Sequence, residues 1–166
     1  MKTTMLFLSL FAFNFSFAQN NSGGTNLQNL IGEWEATNEG VQFPEIEKWK
    51  WTFESVMNGS GILFKSFLKM KDQNDWVQGA EAMMGGDLQT NKVYAFGIAN
   101  NGMSLTGEGT YEDNEFTLNM YAAMEERPLI LKMLHEVSRD QIIWKVTEYA
   151  NDEPANTMNI TYKRTK

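Results

Sequence analysis

Hydrophobic positions in this chain recur mostly at a spacing of two, the period of a strand whose alternate side chains face opposite sides. The clearest run begins at Glu47. Trp49, Trp51 and Phe53 fall on one face, and Lys48, Lys50, Thr52 and Glu54 on the other. That is a half-buried strand with one wet side. Asn58-Gly59-Ser60-Gly61 is a turn signal, after which Ile62, Phe64, Ser66, Leu68 and Met70 alternate with Lys65, Lys69 and Lys71. Asp72-Gln73-Asn74-Asp75 turns the chain again, so these two strands predict a hairpin.

The same reading carries on to the C-terminus. Strands are predicted over 76–84, 92–99, 103–111, 116–122, 129–137, 141–149 and 156–164. Between them lie Gly85-Gly86-Asp87, Asn100-Asn101-Gly102, Glu112-Asp113-Asn114, Ser138-Arg139-Asp140 and Asn151-Asp152-Glu153-Pro154, each rich in turn formers. Gly107 and Gly109 sit inside a strand, where glycine suggests a bulge or sharp curvature. Residues 120–126 also admit a helical turn or two. Upstream, 34–38 reads as a first strand followed by a loop over 39–44. Before it, Thr25-Asn26 could cap one helical turn over Leu27, Leu30 and Ile31.

About ten strands joined by short turns, with no crossover helices, predict an all-β antiparallel up-and-down meander. Such a sheet must hide its edges, and closure into a barrel does so completely; two stacked sheets are the alternative. Trp34 is expected to pack across one end of the barrel, its indole N–H meeting a carbonyl.

Residues 1–18 do not fit this pattern. Lys2 precedes a nearly continuous apolar run to Phe17, and Ser16 and Ala18 supply the small residues of a cleavage site. The run falls short of the roughly 20 residues of a membrane span. We read 1–18 as a secretory signal peptide, 19–25 as a polar, Gly-containing leader, and 26–166 as one domain. The expected location is therefore periplasmic or secreted. Cleavage moves the formal charge from −7 to −8, which argues against nucleic acid or anionic membrane as partner. With no cysteine, an exported chain has neither disulfides nor thiolate chemistry. No later apolar run is long enough to span a bilayer.

In these phases Trp49, Trp51, Phe53, Phe64, Leu68, Met70, Met120, Met133 and Trp144 share the inner face, and His135 follows Leu131 and Met133 inward. They are either a filled core or the lining of a ligand cavity. A barrel of more than about eight strands has room for a small guest. Methionine, of which nine lie beyond residue 18, suits an adaptable apolar pocket. Glu108, between two glycines, and Glu148, in the phase of Trp144, are the carboxylates that could do acid–base work beside His135. No metal site is expected, since there is one His, no Cys and no acidic cluster at ligand spacing. Neither a Gly-x-Ser-x-Gly nor a phosphate-loop motif occurs.

Three stretches carry a resemblance: Leu30-Ile31-Gly32-Glu33-Trp34, the segment from Gly86-Asp87 to Lys92-Val93-Tyr94, and Met158 to Arg164. Gly-x-Trp after a one-turn helix resembles the opening of the calycin, or lipocalin-like, barrels. All three in order resemble the bacterial family of unknown function catalogued as DUF1579, over about 26–164. The resemblance implies a calycin-like barrel and carries no established activity. Calycin barrels of the nitrobindin type hold haem through a late histidine, which makes haem on His135 an alternative to the expectation of no cofactor. The leading expectation is a small apolar or aromatic ligand in the barrel. The alternatives are an enzyme using inward Glu and His, or a protein–protein module with a filled barrel.

Overall fold

The computed structural model describes residues 27–37, 43–87, 90–112, 114–123, 128–150 and 153–166. The signal peptide, the leader and the cap at Thr25-Asn26 lie outside them, as do residues 124–126 of the segment that admitted a helical turn. The described residues form a closed antiparallel barrel of ten strands. These are β1 (Gly32–Ala36), β2 (Ile46–Val56), β3 (Gly61–Met70), β4 (Val77–Asp87), β5 (Lys92–Ala99), β6 (Ser104–Glu112), β7 (Glu115–Ala123), β8 (Pro128–Val137), β9 (Gln141–Ala150) and β10 (Glu153–Arg164). Each strand pairs with the next in sequence, and β1 closes the ring between β2 and β10. A 3-10 turn over Leu27–Leu30 precedes β1. No described helix is long and apolar enough to cross a membrane.

Tight turns explain why the strands follow one another without crossovers. Asn91, Gly102 and Asn114 take positive φ (54°, 83° and 67°) in three successive hairpin turns. Asn and Gly tolerate that region where bulkier residues do not. Three corrections concern strand limits. Gly85-Gly86-Asp87, read as a turn, continues β4 because its backbone stays paired: Gly85 with Gly61 and Tyr94, and Gly86 and Asp87 with Val93 and Lys92 of β5. Glu153 and Pro154, also read as a turn, open β10 opposite Ala150 and Tyr149. β1 starts two residues before Trp34, at Gly32. The register shifts at Glu47 in β2, Gly79 in β4 and Ala155 in β10. All three irregularities fall at the same end of the barrel, where an extra residue sharpens strand twist and bends the wall.

The opposite end is closed. Leu27 and Leu30 of the 3-10 turn are buried, and Trp34 is fully buried. The Trp34 Nε1–H donates to the Leu30 carbonyl at 2.7 Å. The Arg164 guanidinium lies 4.0 Å above the indole ring. It donates to the carbonyls of Ile31, Asn29 and Arg139. One cation thus satisfies carbonyls from the turn and the β8–β9 connection while stacking on the ring. Gly32 has φ +136°, and a Cβ there would lie 2.6 Å from the Arg164 Nη1. The glycine of Gly-x-Trp therefore leaves room for the clamp.

Candidate functional site

Above the closed end the barrel narrows around Trp51, brought inward by the alternation of β2. Its ring stacks on Tyr162 at 3.9 Å and meets Trp144 at 4.9 Å, Phe64 at 5.5 Å, His135 at 6.0 Å and Phe53 at 6.1 Å. β2, β3, β8, β9 and β10 all contribute to this cluster. Trp49, one step nearer the open end, meets Trp144 at 5.5 Å and Tyr162 at 6.4 Å. Its Nε1–H donates to Ser66 Oγ at 2.7 Å. The facing wall carries small inward residues, with Ala82, Ala95 and Gly97 buried on β4 and β5. Large rings from one side therefore fill a cross-section that ten strands would otherwise leave wide.

Nearer the open end the inner wall stays apolar but is no longer shut off. Trp49, Leu68, Leu105, Met133 and Met158 are each half-buried, whereas Trp51, Trp144 and Tyr162 beneath them are buried. Leu68 and Met70 keep their inward phase, as the unbroken alternation of β3 dictates, but sit at the rim outside the packed core.

His135 is buried, with Phe116 stacked on it at 4.8 Å. Its Nδ1 lies 3.2 Å from the Phe116 carbonyl. A carbonyl only accepts, so Nδ1 holds the proton and Nε2 is bare. Burial lowers its pKa to about 4, against the backbone hydrogen bond that favours the charged form. The ring is neutral at physiological pH. Burial likewise raises the Tyr162 hydroxyl well above its ordinary value. Three buried donors in the cluster, Trp51 Nε1, Trp144 Nε1 and the Tyr162 hydroxyl, have no hydrogen-bond partner.

Of the ten residues the sequence singles out, Trp49, Trp51, Phe53, Phe64, His135 and Trp144 belong to one ring cluster. Met120 is buried on β7 and Met133 half-buried on β8. The sequence reading missed Tyr162 and Phe116, which follow from the alternation of β10 and β7, and Ser66, whose hydroxyl serves Trp49.

The acid–base arrangement is not assembled. Glu108 is exposed on the outer face of β6. Glu148 pairs across β8 with Leu131, four residues from His135 or roughly 13 Å along a strand. Its carboxylate instead accepts from Asn156 Nδ2 at 3.0 Å. Nor does His135 fit haem. Phe116 stacks against the imidazole, and Trp51 and Trp144 lie 6.0 and 6.4 Å away, so a macrocycle on Nε2 would have to displace the core. No group of three His, Cys, Asp or Glu among the described residues could hold a metal.

Two open depressions lie outside the closed end. One, of about 410 Å³, is lined by Asn29, Asn114, Val137, Ser138, Arg139 and Arg164. The other, of about 270 Å³, runs alongside it past Glu115, Glu136 and Gln141. Neither touches the ring cluster, and the Arg164 guanidinium is already committed to three carbonyls. No model of a known family and no curated protein matches this chain.

Proposed function

We propose that this is an exported, calycin-like barrel, akin to the DUF1579 family, that binds a small apolar or aromatic molecule in its open half. The binding reading rests on one observation. Trp49, Leu68, Leu105, Met133 and Met158 form an inward apolar wall that is only half-buried, above a floor of buried rings. Apolar surface left partly in water gains free energy when a guest covers it. The export reading rests on residues 1–18. Chain 19–166, titrated with uncharged N-phenyl-1-naphthylamine, should quench Trp emission with saturation. Met133→Trp, which fills the mouth, should weaken that binding at least about tenfold, the effect of 1.4 kcal/mol. Absence of saturable binding to the unaltered chain sinks the reading.

A second reading has its own observation. Met83, Tyr94, Phe96, Ile98 and Tyr121 are exposed on the outer wall of β4–β7. Phe96 lies opposite Met83 on one side and Thr106 on the other, and Thr106 opposite Tyr121, so they form one continuous row. Glu81, Glu108, Glu112 and Glu115 flank it on the same strands, against a single lysine, Lys92. A protein partner with an apolar centre and a Lys/Arg rim complements that wall. Sedimentation at rising concentration separates this from self-association, which would show as a concentration-dependent mass.

A further inference from the structure

The ring cluster at the floor of the open half holds more hydrogen-bonding capacity than an apolar guest would use. Trp51 Nε1, Trp144 Nε1 and the Tyr162 hydroxyl are buried and have no partner. They belong to adjoining side chains, with Trp51 4.9 Å from Trp144 and 3.9 Å from Tyr162 between ring centroids. Two other indoles are paired, although Thr52 Oγ1 and the Tyr111 hydroxyl are also buried without a partner. Trp34 donates to a carbonyl at 2.7 Å and Trp49 to a hydroxyl at 2.7 Å. Native proteins pair nearly all buried donors, and an exception calls for a physical reason.

The surroundings limit what can pair with them. Indole N–H only donates, so the missing partner must be an acceptor. It must also be uncharged. No described Lys or Arg side chain faces the cluster from the walls packed around it. Arg164 is at the closed end with its guanidinium on three carbonyls, and His135 is neutral. Glu148 stands in the inward phase at the open end, where it disfavours an anion. A carboxylate here would be a buried charge without a counter-ion, which is far costlier than a buried carbonyl.

We propose that the guest is an uncharged ring or chain bearing a carbonyl oxygen, and that this oxygen accepts hydrogen bonds from the unpaired donors of Trp51 and Trp144, with Tyr162 beside them. This rests on the reading that the open half of the barrel binds a small molecule. The carbonyl enters first, against the floor, and the apolar body remains among Trp49, Leu105, Met133 and Met158.

Three naphthalenes of similar size test it by equilibrium dialysis against chain 19–166: 2-isopropylnaphthalene, 2-acetylnaphthalene and 2-naphthoate. The expected order puts the ketone about tenfold or more tighter than the hydrocarbon, with the carboxylate weakest. Trp144→Phe and Trp51→Phe, which keep a ring but remove an N–H, should each shrink the ketone's advantage while leaving hydrocarbon affinity within about twofold. Should these variants not fold, the carbonyl stretch of bound 2-acetylnaphthalene in the unaltered protein decides: it should fall below its frequency in alkane. Equal binding of ketone and hydrocarbon, an unshifted stretch, or a preference for the carboxylate overturns the carbonyl proposal and leaves the binding reading standing. If none of the three binds, the binding reading itself fails and the carbonyl proposal with it.

Discussion

Trp34 and His135 show how far a single side chain can be read from its position. Gly-x-Trp led to the expectation that Trp34 closes an end of the barrel through a carbonyl. The structure bears this out, with Nε1 on Leu30 and the Arg164 guanidinium above the ring. Trp34→Ala removes a fully buried indole, so unfolding in urea should show a loss of about 3–5 kcal/mol. Trp34→Phe, which keeps a ring under Arg164, should lose less. His135 was legible as inward but not as neutral, because its burial depends on Phe116, Trp51 and Trp144, which reach it from other strands. Its pKa of about 4 lies below the ordinary 6.5, so between those values the unfolded chain binds more protons than the folded one. Stability from this group is therefore complete above pH 6.5 and lost as pH falls toward 4. The loss between pH 7 and pH 5 should be about 2 kcal/mol. His135→Phe should flatten that part of the profile relative to the unaltered protein, while carboxylate titrations remain in both. Parallel profiles of urea midpoint against pH would rule the assignment out.

Among the elements, the strands were legible because clusters of Gly, Asn and Asp punctuate a period of two, and β5 runs over the same residues that the pattern marked. What the pattern could not show was registration. An extra residue at Glu47 or Gly79 changes which side chains face across two strands without changing composition. Glycine was ambiguous for the same reason. As a turn former it misplaced the end of β4; inside β6 it marks no bulge, since the register with β5 and β7 is unbroken, but a close approach of β7. A Cβ on Gly109 would collide with the Thr117 carbonyl and backbone of β7, whereas one on Gly85 would meet only the Ser60 carbonyl, at 3.9 Å. Gly109→Ala should therefore force β6 and β7 apart and cost about 1–3 kcal/mol, as overpacking does. Gly85→Ala should stay within about 0.5 kcal/mol of the parent, as substitutions free of such clashes do. Thermal melts of the two variants, run side by side, distinguish local crowding from a general intolerance of alanine in these strands.

For the whole molecule, the barrel solves the edge problem with its shortest strand, and it divides its outer surface by charge. β1 has five residues and joins β2 to β10, so Trp34 lies opposite both Trp51 and Arg164, side chains far apart in sequence. Closure therefore depends on contacts between the first and last strands of the barrel, which carry a large loop-closure cost. Around the outside, β2 and β3 present Lys48, Lys50, Lys65 and Lys69, with Lys65 paired to Glu54 and Lys69 to Glu47. The β4–β7 wall instead combines carboxylates with the apolar row. That row was not legible as a surface, since Tyr94, Phe96 and Ile98 alternate as cleanly as inward residues, and only Val93, Ala95 and Gly97 turn out to be the buried set. Small residues went inside because the rings of Trp51, Trp144 and Tyr162 already fill the centre; large ones went outside. Phe96 is 60% exposed and Ile98 53%, so neither contributes much to folding. The double substitution Phe96→Thr and Ile98→Thr should keep the melting temperature within a few degrees, roughly the effect of less than 1 kcal/mol. It should also shorten retention on a phenyl matrix. Retention unchanged would mean that the row does not act as one surface. A large fall in melting temperature would mean that the wall is covered in the folded protein, and that its partner is already part of the stable unit.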